Sequence, residues 1–220
     1  FPQDFFLRRS MNTVSRVIRN TGFLYMKMGI TMFVSLYTTR LVLNALGVDD
    51  FGIFGMVAGV IAMLAFLNAS MAAATQRFMS YAEGEGNREK QRIIFNISVV
   101  LHLAIAVVVA ILLYAAAPFL FGHFLNIPEG RIFAARCVYW AMIASTVFSM
   151  LGVPYEAMLN AHENMLYFAV IGVLESFLKL GAALLVVHVL ADKLILYGVL
   201  MAGISTVSYT HLTMPTNSLV

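Results

Sequence analysis

The chain carries few groups able to do chemistry, and their positions make those few informative. Within the apolar run Phe23–Leu46 the only formal charges are Lys27 and Arg40. Tyr37, Arg40 and Asn44 recur at helical spacing and share one face. That stripe is cationic and hydrogen-bonding, and it suits the wall of a cavity; alternatively, Arg40 snorkels to the membrane interface. Lys27 lies one turn into the same run and Arg77 near the end of the next, and the same two readings apply to each. Glu175 and Lys179 stand four apart with the acid first, so they can pair on one helix face. Near the middle of a spanning helix such a pair suits coupling to protons or cations, or else neutralises itself against protein. His102 reads as a satisfied polar contact. Asn68, Ala72, Thr75 and Gln76 form a small, polar face suited to close helix packing.

Other chemistry is excluded. Gly84-Glu85-Gly86 follows an apolar helix rather than a strand, so it is no dinucleotide loop. His162-Glu163 lacks a second histidine four residues on, so it is no zinc helix. No nucleophile stands beside a base in a local signature. The single cysteine, Cys137, excludes an intrachain disulfide. No metal site, no cofactor and no enzymatic activity are expected.

The elements that must position these residues follow from composition. Hydrophobic residues make up 61% of the chain and charged ones 11%, with mean hydropathy +0.86; a soluble domain carries about 25% charged residues. The solvent for this surface is lipid. A net charge of +3 and pI near 9.1 fit basic cytoplasmic loops better than nucleic acid. The pattern predicts an all-α integral membrane protein of about six transmembrane helices. Spans fall near Phe23–Leu46, Ile53–Ser80, Ile93–Phe121 (ending at Pro118), Ile132–Val153, Met165–Leu190 and Leu194–Val207. Leu46–Gly52 makes an elbow, with Gly47 capping the first helix and Asp49 suited to N-cap the next. Pro154 and a loop Tyr155–Asn164 separate the fourth and fifth spans. The sixth span is short, about 21 Å as helix. Residues 1–10 read as upstream read-through before Met11. Residues 207–220 read as a non-native tail resembling a translated adaptor, leaving 11–206 as one membrane lobe with a truncated sixth helix.

Orientation follows from flanking Lys and Arg. With the N-terminus inside, Arg8, Arg9, Arg16, Arg19, Arg88, Lys90 and Arg92 are cytoplasmic, against Arg131 and Lys193 outside. Phe119, Phe124, Tyr139 and Trp140 would form an outer aromatic belt, and Tyr155, Tyr167 and Phe168 an inner one.

The segments RNTGFLYMKM, VSLYTTRLVLNALGVDDFGIFGMV, ATQRFMSYAEGEGN and VPYEAMLNAHENM, in this order, resemble the N-terminal half of bacterial polysaccharide-export flippases. These belong to the multidrug/oligosaccharidyl-lipid/polysaccharide exporter superfamily. The resemblance implies two helical bundles around a central cavity, with this chain holding the first and the C-terminal lobe missing. It implies a bacterial inner-membrane location and an undecaprenyl-diphosphate-linked oligosaccharide as cargo. Charge agrees, since buried basic residues outnumber the one buried acid, Glu175, and a diphosphate wants cations. Two alternatives stand beside it: a multidrug efflux antiporter of the same fold, coupled to H+ or Na+, and a membrane scaffold for polysaccharide assembly. The topology is directly testable: in a Cys137→Ala background, a cysteine at Glu85 should react with a membrane-impermeant maleimide only after the cytoplasmic side is opened. Labelling from outside would overturn the orientation.

Overall fold

The structure, a computed structural model, describes the backbone of residues 2–63, 65–161 and 165–216, and side chains within 18–63, 69–161, 166–211 and 213. Six α-helices carry the chain: α1 Pro2–Ala62, α2 Ala65–Gly84, α3 Arg88–Phe119, α4 Ile132–Ala161, α5 Met165–His188 and α6 Lys193–Thr216. A π-helical turn, Leu120–Phe124, extends α3, and a 3-10 turn, Glu129–Arg131, introduces α4. Among the described residues, five stretches are long and apolar enough to cross a membrane: Ile18–Ala62, Arg88–Phe124, Glu129–Ala161, Leu166–His188 and Lys193–His211. The protein is thus an all-α, multi-pass membrane protein.

The expected elbow is present. Gly47 has φ 82° and ψ 171° and breaks α1 into two limbs. Asp49 already lies within helix rather than in front of it, because the second limb resumes directly after Gly47. The limbs pack against different partners. Val42 of the first is buried with Ala183 and Val186 of α5 and Tyr197 of α6. Ile53, Val57 and Ile61 of the second join Ala106, Val109 and Leu113 of α3 and Val138 of α4 in the main core. One run of sequence thereby spans both sides of the bundle.

Four sequence expectations are corrected. The single span Ile53–Ser80 is divided between the second limb and α2, and α2 is not among the stretches apolar enough to cross a membrane. Arg77, Gln76 and Glu83 lower its hydropathy. Pro118 does not end α3; the helix runs through it into the π-helical turn, whose Leu125 N–H donates to the Leu120 carbonyl at 2.7 Å. Pro154 does not end α4, so Tyr155–Ala161 are helix rather than loop. Pro154 is itself fully buried, and membrane helices tolerate proline where neighbouring helices surround the freed carbonyl. Finally, α6 continues past Val207 to Thr216, with Tyr209 set against the rings of Phe148 and Tyr155.

At one end of the bundle Arg131 joins three elements. Its guanidinium donates from Nε to Asp50 at 2.7 Å and from Nη2 to the same carboxylate, and from Nη1 to Asp192 at 2.7 Å. Asp50 follows the elbow, Arg131 precedes α4, and Asp192 accepts from the Leu194 and Ile195 amides that open α6. Partial burial pushes the Asp192 carboxyl up, but the Arg131 hydrogen bond, those two amides and the Arg131 charge outweigh it and hold the group below its usual range. At the other end Asn87 caps α3, accepting from the Lys90 amide at 2.9 Å. Lys90 also pairs with Glu85 at 2.7 Å.

Gly47 gives a clean test of the elbow. A Cβ there would meet nothing within 4 Å, so steric fit is not the issue. Its backbone region is essentially glycine-only, and a side chain there costs about 1–3 kcal/mol. Gly47→Ala should therefore lower unfolding stability in detergent by that amount. Gly59→Ala, in helix with equally open space, should be neutral or slightly stabilising. Equal effects at the two positions would remove the elbow's conformational role.

Candidate functional site: a polar cavity between α1, α5 and α6

Polar side chains in the membrane interior gather where the first limb of α1 meets α5 and α6. A cavity of about 510 Å³ opens there, lined by Thr31, Ser35, Thr39, Ser176, Lys179 and Tyr197 among others. The helical period explains the α1 contribution. Thr31, Ser35, Thr38 and Val42 recur at three and four and lie on one face. Val42 at the end of this row is buried against α5 and α6, which turns the hydroxyls above it toward the same neighbours. Four of the lining hydroxyls have their protons engaged. Thr31 donates to the Met28 carbonyl, Thr38 to Val34, Thr39 to Ser35 and Ser176 to Gly172, at 2.7–3.1 Å. What these hydroxyls offer a ligand is therefore oxygen lone pairs. Lys179 supplies the opposite character, since its ammonium spends one donor on Glu175 at 2.7 Å and has two more.

Beside this cavity lies a charge cluster. The i,i+4 pair Glu175–Lys179 forms on α5. Lys27 sits 3.5 Å above the Phe168 ring and presses on Gly172, where a Cβ would meet its Cε and Nζ. Glu156 and Glu175 both attract it electrostatically. Two lysines thus face two glutamates across α1, α4 and α5. Glu156 is the member that sequence reasoning missed. The sequence places it in a loop after Pro154, but it lies in α4, so Glu175 is not the one acid in the interior. Tyr155 and Glu156 followed by the small Ala157 continued a helical pattern, and that was the available signal. Glu156 and Glu175 also line a smaller cavity of about 70 Å³ together with Ser149 and Ser205; Ser205 meets Ser145 at 2.5 Å.

The other candidates fall elsewhere. Tyr37, Arg40 and Asn44 are exposed. Arg40 is two residues from both Thr38 and Val42, about 200° around the helix, so the stripe shares one face as expected but points away from the cavity. Lys27 lines an apolar groove between α1 and α5 instead. Arg77 is exposed on α2. Thr75 makes the polar helix contact foreseen for its face, 3.1 Å from Ser98 of α3; Asn68's side chain and His162-Glu163 lie outside the described residues. His102 is buried, and its Nδ1 is 2.8 Å from the Ser98 carbonyl, yet its Nε2 has no partner among the described residues. It is half satisfied rather than satisfied. Tyr139 is no belt residue: it is fully buried and donates to the Leu113 carbonyl at 2.7 Å. Among the described residues no group of three or more His, Cys, Asp or Glu side chains could hold a metal ion.

Apolar helices long enough to span a bilayer, packed around a polar cavity with a charge cluster beside it, define a multi-pass membrane protein. Residues 25–185 match the MatE family model, and the chain belongs to that family, whose members are transporters within the multidrug/oligosaccharidyl-lipid/polysaccharide exporter superfamily. No curated protein and no solved structure matches the chain.

The charge cluster can be tested by a double-mutant cycle in detergent. Lys27→Met leaves two glutamates facing one lysine and should lower stability by about 1–3 kcal/mol. Adding Glu156→Gln should restore part of that, an interaction of about 0.5–3 kcal/mol. Strictly additive effects would separate Lys27 from Glu156.

Proposed function

We propose that this chain is the first lobe of a two-lobe exporter that flips lipid-linked oligosaccharide, of the undecaprenyl-diphosphate kind, across a bacterial inner membrane with its N-terminus inside. The observation that carries this reading is the cavity wall between α1, α5 and α6. The Thr31, Thr38, Thr39 and Ser176 hydroxyls have their protons engaged on their own helices, so their oxygens accept; sugar hydroxyls are donors in abundance. The Lys179 ammonium at the same wall suits the phosphate that joins sugar to lipid. A site built for large apolar drugs is lined mainly by hydrophobic and aromatic groups. In this proposal Tyr37, Arg40 and Asn44 meet the cargo, or the missing C-terminal lobe, on the outward face of α1, and Arg77 does so on α2. Alternating access in such folds rocks one lobe against the other around a shared site.

The second reading, a multidrug antiporter coupled to H+ or Na+, is favoured by one observation, the pair Glu156 and Glu175 around a small serine-containing cavity. Two carboxylates that close suit a proton or a monovalent cation. In the first reading the same pair, with Lys179, supplies the coupling step.

Vesicles holding the full-length protein separate the two. A fluorescently labelled lipid-linked sugar should cross, and a labelled cationic dye should not. Within that assay Arg40→Lys should keep partial transport and Arg40→Ala lose most of it, per inserted protein, because lysine keeps the charge without the planar donor fork. Dye transport without sugar transport would establish the antiporter; transport of neither would favour a scaffold.

A further inference from the structure

A second site lies at the opposite side of the bundle, where α3 ends and α4 begins. A pocket of about 280 Å³ is lined by Tyr114, Ala117, Pro118, Phe121, Arg136 and Trp140. The α3 residues recur at three and four, so they form one wall; Arg136 and Trp140 stand four apart on α4 and form the other. The Tyr114 and Trp140 rings meet at 5.6 Å across the gap. The Arg136 guanidinium lies 5.6 Å from the Phe121 ring, and the π-helical turn that begins at Leu120 carries Phe121 there. Phe121 is in turn fixed edge-on against the buried Tyr139. Arg136 is exposed at this site, and among the described residues no carboxylate is paired with it. Apart from the Tyr114 hydroxyl and the Trp140 indole N–H, the other lining residues are apolar or aromatic.

An unpaired guanidinium on a membrane helix needs an anion or a route to water. Arg136 follows Arg131 by five residues, about 7–8 Å along the helix. Arg131 marks the level at which three helix ends meet in charged pairs. Arg136 therefore sits just beneath the polar boundary, at the depth of lipid phosphates, flanked by the Trp and Tyr that favour that depth. Below Tyr114 the same face of α3 continues as Ile111, Val107 and Leu103, all exposed, an apolar track running toward the membrane centre. We propose that this pocket binds an anionic phospholipid, its phosphate on Arg136, its glycerol region against the Tyr114–Trp140 ring pair, and one acyl chain along that α3 track. The charge selects the headgroup and the track selects a lipid over a soluble anion. This site is separate from the transport cavity and does not depend on the cargo.

Trp140 is the only tryptophan in the chain, so its fluorescence reports this pocket alone. The protein is placed in phosphatidylcholine vesicles containing, at equal mole fraction, either phosphatidylglycerol or phosphatidylcholine brominated along the acyl chains. Brominated phosphatidylglycerol should half-quench Trp140 at about fivefold lower mole fraction, the preference one interfacial basic residue gives for anionic lipid. Arg136→Gln should make the two lipids equivalent, and Arg136→Lys should keep part of the preference. An unchanged Trp140 emission maximum in phosphatidylcholine shows each variant to be folded. Equal quenching by the two lipids in the wild type, which needs no variant, overturns the proposal. So does a preference that survives Arg136→Gln. Loss of the preference on adding glycerophosphate or inorganic phosphate would make it a soluble-anion site, and displacement by a lipid-linked diphosphate sugar would make it a cargo site; either result overturns a resident phospholipid.

Discussion

Arg131 holds one end of the helical bundle in register. The two limbs of α1 diverge at Gly47, α4 starts at Ile132 and α6 at Lys193, and nothing in the chain's local sequence ties these three points together. One planar guanidinium does so, reaching Asp50 with two donors and Asp192 with another. Arginine suits the task because its fork can serve two carboxylates at once and stays charged. A pair exposed on a surface contributes little, but this arrangement is a half-buried network in which Asp192 also caps α6. Fixing the elbow against α4 and α6 decides which way each limb of α1 faces. That in turn places the Thr31–Thr38 row against α5 and the Ile53–Ile61 row against α3.

Once those faces are fixed, lipid as solvent dictates the rest of the polar arrangement. A lone charge in hydrocarbon is costly, so interior charges come balanced. Lys27, Glu156, Glu175 and Lys179 form such a set, and it sits where α1, α4 and α5 meet. Hydroxyls meet the same constraint differently, by bonding back to carbonyls of their own helix. The result is a cavity whose wall mixes hydroxyls and Lys179 with Met28, Met32 and Val34. Transport needs that combination, because a cargo must be bound well enough to enter and loosely enough to leave.

Proline is used twice at places where the bundle changes character. Pro118 precedes the π-helical turn that rotates Phe121 toward Arg136 and Tyr139. Pro154 is buried within α4 just before Glu156. At Pro154 the helix persists because surrounding helices enclose the freed carbonyl, whereas Pro118 is exposed and its helix runs on into the π-helical turn; in both cases a candidate residue lies within a turn of the proline. Single-turn π-helical insertions are frequent at functional sites.

Much of this was legible in the sequence because it depends on short-range physics. Apolar length against bilayer thickness marked the membrane helices, Gly47 marked the elbow by its backbone freedom, and the four-residue spacing of Glu175 and Lys179 announced their pair. Thr75 likewise gave its role away as a small polar residue on a packing face. The remainder was decided by tertiary contact. Arg131 finds partners 81 and 61 residues away, separations that no periodicity encodes. Helical spacing showed that Tyr37, Arg40 and Asn44 share a face, but only the packing of Val42 against α5 and α6 decided that the opposite face lines the cavity. Glu156 stayed hidden because proline reads locally as a helix end, whereas its burial among neighbouring helices keeps α4 intact. Tyr139 looked interfacial by type and depth, yet a single carbonyl, that of Leu113, draws its hydroxyl into the core. Sequence sets which residues can share a face; which neighbour that face meets is a property of the assembled bundle, where burial and long-range pairing outweigh local preference.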